Sequence, residues 1–144
     1  MKFVNKLQES GQDLVEYAIT FPIFMLIILG IIEIGRGVYS YSTLQNATRE
    51  AARYAIVHPC VADGTIANVI RTRAMAVDPA AITVNPVVWG EDTVQVTSWL
   101  RFTSLTPLIS VFLPVDPMDG ERKFIFTSSS TMQRETWASP DCGS

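Results

Sequence analysis

The strongest pattern along the chain is one long apolar run near its N-terminus. Residues 17–32 carry no charge, and nearly every side chain from Ala18 to Ile32 is apolar. A helix over these residues rises about 24 Å, and apolar side chains on both flanks bring it close to the ~30 Å hydrocarbon core of a bilayer. The pattern predicts a transmembrane part at about residues 14–35, or else the packed core of a filament.

Helical spacing continues beyond the apolar run. Small or apolar residues recur at steps of three and four on one face, namely Ser40, Leu44, Ala47, Ala51 and Ala55. We therefore predict a single helix over residues 12–57, about 68 Å long, which Pro59 ends. Pro22 lies inside the run, and because it removes a backbone N–H we expect a kink near Ala18.

The remaining residues, 58–144, predict a small α+β domain. Apolar residues at helical spacing favour a short amphipathic helix over residues 64–77. Alternating residues favour strands at 82–85 and 93–102, which would form a hairpin with a turn at 90–92, and a last strand at 123–132. The expected fold is a long N-terminal helix that continues into a small head, where the short helix packs on a three- to four-stranded antiparallel sheet.

A processing signal precedes the apolar run. After a leader with two lysines, Gly11 is followed five residues later by Glu16, at the threshold of the run. A prepilin peptidase needs a small residue before the bond it cuts, so the pattern predicts a leader of residues 1–11 and cleavage between Gly11 and Gln12. Glu16 would then be a carboxylate in an apolar setting, which is costly unless paired. The terminal ammonium of a neighbouring subunit is a natural partner, and such a pair would set subunit register.

The stretch GQDLVEYAITFPIFMLIILGIIEIGR, residues 11–36, resembles the signature of TadE-like proteins. These proteins are pseudopilin or minor pilin components of tight adherence pilus systems, of the type IVc or Flp type. Besides Gly11 and Glu16, the resemblance is carried by Tyr17, Pro22, Gly30, Glu33 and Arg36. A looser similarity continues at residues 42–54 and 131–135.

The resemblance implies a pilin-like fold and a structural function in pilus assembly, adhesion and surface colonisation. It makes the apolar helix the polymerising element and gives assembly or register roles to Glu16, Pro22, Glu33 and Arg36. The implied partners are other pilin or pseudopilin subunits, a prepilin peptidase, the pilus assembly platform in the inner membrane, and membrane lipid. It also favours a short helix in the apolar patch at residues 108–113, which the residues alone leave as either a buried helical turn or a contact surface.

The distribution of charge predicts the topology. The two leader lysines favour a cytoplasmic N-terminus, whereas Arg36 favours the opposite orientation and Glu33 can offset it at i,i+3. Tyr39 and Tyr41 follow the run at the positions of an interfacial aromatic belt. We expect a single-pass protein of the bacterial inner membrane with an extracytoplasmic head, either held there or incorporated in a surface pilus.

Two alternatives for the apolar run remain open. The first is a secretory signal cut after Ser40, which would leave a chain that starts at Tyr41. Acidic residues before the run and the length of the run count against it. The second is an uncut, single-pass anchor for an extracytoplasmic binding or adhesion domain that does not polymerise. A tether gains nothing from Glu16 at the membrane edge, whereas a polymerising helix does.

Charge and cysteine content narrow the function classes. The net charge of −3 argues against nucleic acid as a partner, because a nucleic-acid binder needs clustered Lys and Arg. Cys60 and Cys142 both follow the apolar run. In an oxidising compartment they could form a disulfide that ties the C-terminal residues to the end of the long helix. Two free thiols are the alternative.

The sequence shows no set of residues typical of catalysis. His58 is the only histidine, so no serine or cysteine has an evident base, and one His beside one Cys does not make a zinc site. Asp116 and Asp119 lack the alternating oxygen ligands of a calcium loop. We therefore expect no enzyme activity, no metal and no cofactor.

Overall fold

The computed structural model describes residues 2–75, 77–106, 110, 111, 113–115 and 120–134, with side chains from residue 11 onward. Its helices are α1 (Lys2–Val57) and α2 (Asp63–Arg73), followed by a 3₁₀ turn (Pro79–Ala81). Its strands are β1 (Ile82–Val84), β2 (Val88–Trp89), β3 (Thr93–Phe102) and β4 (Phe124–Gln133). The chain divides into two compact units, which comprise residues 1–35 and residues 36–144.

The first unit is the N-terminal part of α1. Its large apolar side chains between residues 14 and 34 are exposed almost without exception. Within the unit, the rings of Tyr17 and Phe21 stack one turn apart, with centroids 5.4 Å apart. A continuous apolar surface of this size is not stable in water and indicates a lipid or protein environment.

The second unit contains the rest of α1, which buries a stripe of small side chains. The buried residues are Leu44, Ala47, Thr48, Ala51, Ala52 and Ala55. The predicted face is confirmed at Leu44, Ala47, Ala51 and Ala55, whereas Ser40 is only half-buried. Thr48 and Ala52 also belong to the buried face. Residues 36–57 therefore belong to the second unit and contribute to its buried core.

Strand β3 is the centre of a four-stranded antiparallel sheet. Strand β4 pairs with β3 along its whole length, from Thr93 opposite Gln133 to Phe102 opposite Phe124. Strands β1 and β2 pair with different parts of β3. Because β4 already pairs with those same β3 residues, β1 and β2 must occupy the other edge of β3. The predicted pairing of the strands at residues 82–85 and 93–102 is confirmed, since β1 pairs with β3. Strand β2 is an additional short strand that lies between them in sequence.

The inner face of β3 alternates as predicted. The buried side chains on this strand are Val94, Val96, Ser98, Leu100 and Phe102. Ser98 lies opposite Ser128 of β4, which is also buried. The middle of this face is therefore polar and small, while its ends are apolar.

A buried hydroxyl pair links α1 to β3. The Oγ1 of Thr48 donates to the carbonyl of Leu44 at 2.8 Å and lies 2.6 Å from the Oγ of Ser98. Because the Thr48 proton is used within the helix, Ser98 is the donor in the contact between the two hydroxyls. The short distance requires close approach of helix and strand, which the surrounding alanines allow.

Helix α2 covers part of the same core. Ile66 and Ile70 are fully buried, and Oδ1 of Asp63, in the first turn, accepts a hydrogen bond from the backbone N–H of Val87 at 3.0 Å. The helix ends at Arg73, earlier than the predicted residue 77, because Ala74 leaves helical geometry while its N–H still bonds to the carbonyl of Ile70. The short helix predicted within residues 108–113 falls largely outside the described residues.

The hydroxyl pair gives a first testable prediction. Thr48→Val keeps the shape of the side chain but leaves the buried hydroxyl of Ser98 without its acceptor, which costs about 1–3 kcal/mol of unfolding free energy. Thr72→Val is the matched control, because Thr72 also bonds to a carbonyl four residues back but is exposed. We expect it to change stability by less than about 0.5 kcal/mol. Chemical denaturation of the full chain in detergent measures both variants, and equal losses would contradict the role of the pair.

Candidate functional site

The predicted processing site lies on an exposed part of α1. Gly11, Gln12 and Glu16 are all helical and exposed. A Cβ added to Gly11 would meet no atom within 4 Å, so packing among the described residues does not require glycine here. Glycine in a helix costs about 1 kcal/mol relative to alanine. Packing among the described residues therefore gives no reason for glycine at this position.

Gln12 and Glu16 are one turn apart on the same side of α1, because residues four apart are neighbours on a helix. Among the described residues, the carboxylate of Glu16 has no hydrogen bond or ion pair, and its side chain is exposed. A charge at the edge of an apolar run needs a partner once water is removed. Glu16 is thus available for an intermolecular ion pair.

Two further glycines lie where a neighbouring helix could approach. A Cβ added to Gly30 or to Gly35 would meet no atom within 4 Å. Small residues on membrane helices allow close backbone contact with another helix. Pro22 is accommodated within α1, and the kink expected near Ala18 stays a prediction.

Glu33 and Arg36 have surroundings that the sequence did not indicate. Glu33 has only 7% of its surface exposed. Arg36, in the second unit, donates from Nη2 to the carbonyl of Thr103 at 3.4 Å, and its guanidinium carbon lies 5.0 Å from the ring centroid of Phe102. These contacts join α1 to the end of β3, so Arg36 has a structural role in the head besides the predicted register role.

An aromatic cluster surrounds this contact. Phe126 lies 5.7 Å from Tyr41 and 5.6 Å from Phe102, measured between ring centroids, and Phe124 lies 6.4 Å from Phe126. Gly37 is buried, and a Cβ there would be 3.7 Å from the Phe126 ring. The cluster draws on three elements far apart in sequence, which is why periodicity alone did not reveal it.

Cys60 follows the end of α1 with φ 64° and is disulfide-bonded. Its predicted partner, Cys142, lies outside the described residues, so the pairing of the two stays a prediction. The free-thiol alternative does not hold for Cys60.

The described residues contain no group of three or more His, Cys, Asp or Glu that could hold a metal ion. His58 stacks on Tyr54 at 4.2 Å between ring centroids, and its Nδ1 lies 3.2 Å from the Tyr54 carbonyl. His58 thus lies directly after the end of α1 and contacts the last turn of the helix. Asp116 and Asp119 lie outside the described residues.

Comparison with known proteins agrees with the N-terminal signature. The part of α1 from Gly11 to Val57 is long and apolar enough to cross a membrane, which fits a single-pass anchor. The family described as TadE-like protein matches residues 11–53, and the resemblance seen in the sequence is confirmed over that segment. No curated protein and no solved structure matches the chain.

The predicted disulfide can be tested directly by mass. If Cys60 pairs with Cys142, alkylation of the unfolded, unreduced chain adds no label, and prior reduction allows two. Cys60→Ser should free the other thiol for one label without reduction and lower the unfolding free energy by about 2–4 kcal/mol. Cys142→Ser is the matched control and should give the same label count and loss. Labelling of the unreduced parent chain would contradict the bond.

Proposed function

We propose that this protein is a pilin-like structural subunit, a minor pilin or pseudopilin, of a tight adherence pilus. The observation that carries the proposal is the coincidence of three features in one helix. The TadE-like match at residues 11–53 begins at the glycine of the processing motif, contains an exposed apolar segment, and ends inside the small-residue stripe that packs on the head. A Tad pilus-associated membrane protein fits all three.

The proposed assembly element is the first unit of the chain. Its exposed apolar surface fits lipid before assembly and neighbouring helices after it. Gly30 and Gly35 would permit close helix contacts, and Glu16 would fix register by pairing with the new ammonium at Gln12 of a neighbouring subunit. Pro22, Glu33 and Arg36 are assigned to assembly through the family signature.

Processing would involve a prepilin peptidase that cuts between Gly11 and Gln12. Since α1 is helical through this point, the peptidase must open a turn of helix to reach the bond. Glycine at position 11 lowers the cost of that opening because it is the weakest helix former apart from proline. The absence of Cβ also keeps the bond accessible.

The proposed location is the bacterial inner membrane, with the N-terminus in the cytoplasm and the head outside it. The partners would be other pilin or pseudopilin subunits, the peptidase, the assembly platform and membrane lipid. An extracytoplasmic head is compatible with the disulfide at Cys60, because such bonds persist in oxidising compartments. The role that we propose is association with other subunits, and the only reaction that it requires is cleavage of the leader by the peptidase.

The first test of this proposal is processing. Gly11→Leu should leave the chain uncut, because a large side chain before the bond would block the peptidase. The parent chain should begin at Gln12 when the peptidase is present and at Met1 when it is absent, as read from intact mass after membrane extraction. Gly30→Leu is the matched control and should still be cut. A parent chain that begins at Met1 in both strains would favour an uncut anchor, and one that begins at Tyr41 would favour a secretory signal.

The second test separates assembly from anchoring. Glu16→Ala should abolish recovery of the protein with sheared pili, because the proposed register pair is lost, while membrane localisation stays unchanged. Asp13→Ala removes a nearby exposed acid of α1 and should have little effect on either. Immunoblots of the pilus and membrane fractions measure both. Equal recovery of Glu16→Ala and the parent chain would contradict the polymerising role and support a tether.

A further inference from the structure

A pair of arginines lies on the side of α1 that faces away from the sheet. Arg49 and Arg53 are both exposed, and they are one turn apart on the helix. Each lies two residues from Ala51, which is fully buried, and two residues correspond to a rotation of about 200° around a helix. The two guanidinium groups therefore extend into solvent opposite the buried stripe.

These two arginines are not neutralised within the described part of the chain. Neither makes a hydrogen bond or an ion pair there, and like charges four residues apart destabilise a helix. Glu50, which adjoins Arg49 in sequence, has its carboxylate 3.9 Å from Nη2 of Arg73 in α2. The arginine patch thus consists of Arg49, Arg53 and Arg73, and with Glu50 counted it has an excess of positive charge.

Unpaired negative charge lies on the turn between β2 and β3. Glu91 and Asp92 are both exposed, and their carboxylates have no partner among the described residues. The other described acids of the second unit each have a partner, either a cation or a backbone N–H, and they are Glu50, Asp63, Asp78 and Glu121. This acidic turn, Glu91 and Asp92, is therefore left without a counter-ion by the described part of its own chain.

Arg134 fixes the backbone of the acidic turn from behind. Its backbone N–H donates to the carbonyl of Asp92 at 2.8 Å, and its Nη2 donates to the carbonyl of Glu91 at 2.8 Å. These bonds use the carbonyls of the two acids and leave their carboxylates free. With Arg134 counted, the turn still has an excess of negative charge, and because Arg134 is buried, the carboxylates are the groups that another molecule can reach.

The arginine patch and the acidic turn lie toward the same end of the second unit. Helix α1 runs antiparallel to β3, because Arg36 contacts Phe102 at the end of the strand, whereas Thr48 contacts Ser98 in its middle. The two arginines of α1 follow Thr48 and therefore lie toward the beginning of β3, which the acidic turn precedes. Two copies of this unit that stand side by side in the same orientation would bring the patch of one level with the turn of the other.

We propose that the arginine patch binds the acidic turn of a second copy of this chain. Charge complementarity selects this occupant, because unpaired cations and unpaired carboxylates lie on different surfaces of the same unit. A contact between two different surfaces is heterologous and can be repeated from copy to copy, as a filament requires. The inference rests on the assembling role in the proposed function and adds a contact between heads to the proposed contacts between helices.

Zero-length cross-linking tests the contact itself. Arg49→Lys with Arg53→Lys keeps both charges and supplies amines that a carbodiimide couples to carboxylates. The full chain, reconstituted in phosphatidylcholine vesicles as a mixture of isotopically labelled and unlabelled protein, should give peptides that join residue 49 or 53 of one form to residue 91 or 92 of the other. Arg71→Lys is the matched control and should give none, since Arg71 is exposed but lies about 160° around α2 from Arg73.

Charge reversal tests whether the contact contributes to association. Arg49→Glu with Arg53→Glu, or Glu91→Arg with Asp92→Arg, should weaken self-association in the same vesicles about tenfold, the effect of one charge-assisted hydrogen bond. Energy transfer between labelled chains measures it. All four changes together exchange the charges and should restore the affinity, which a folding defect would not do. Arg71→Glu is the control and should leave the affinity unchanged.

Three results would overturn the inference. These are cross-links that join residues of one isotopic form only, equal yields from the patch variant and from Arg71→Lys, and a fourfold variant that associates no better than the double variants. Recovery with sheared pili distinguishes this failure from failure of the proposed function. Equal recovery of the parent chain and the charge-reversal variants refutes only the contact between heads, whereas a parent chain that is never recovered with pili refutes the proposed function itself.

Discussion

The contact between the hydroxyls of Thr48 and Ser98 determines how α1 and the sheet can pack. Two buried hydroxyls at 2.6 Å require that helix and strand approach more closely than large apolar side chains would allow. The buried residues meet that requirement, since Ala47, Ala51 and Ala55 of α1 are small and buried and Ser128 lies opposite Ser98 in the sheet. A larger residue at any of these positions would separate the layers and leave the Ser98 hydroxyl without its acceptor, which is costly in a buried site. The alanine stripe and the polar centre of the sheet therefore depend on each other.

Helix α1 has to meet two opposite packing requirements along its length. In the first unit its surface is large, apolar and exposed, as lipid or a helix bundle requires. In the second unit its buried face consists of small residues that allow the sheet to approach. One backbone satisfies both because helix geometry depends little on side-chain size. The second unit begins at Arg36, and cutting the chain after Val57 would remove five of the fifteen buried apolar residues of the described chain.

Much of the fold could be predicted because its signals are local. The helical spacing at Leu44 to Ala55 and the alternation in β3 both follow from burial on one face of a regular element. The features that were missed depend on contacts distant in sequence. Strand β2 is two residues long, too short for any alternation. The burial of Ser98 depends on its contact with Thr48, which lies fifty residues away in sequence. The contact of Arg36 with Phe102 joins residues that no spacing rule relates.

The glycines of the chain differ in whether neighbouring atoms of the chain require glycine at their position. Gly90 is required by its own turn, because a Cβ there would lie 2.7 Å from the Oγ1 of Thr93. Gly11, Gly30 and Gly35 have no such reason, since each has open space at its Cβ position, and each weakens α1 by about 1 kcal/mol relative to alanine. A helix that served only as a tether would be more stable with alanine at all three positions. The open space at these positions is compatible with the proposed cleavage by a peptidase at the first of them and with the proposed contacts to neighbouring helices at the other two.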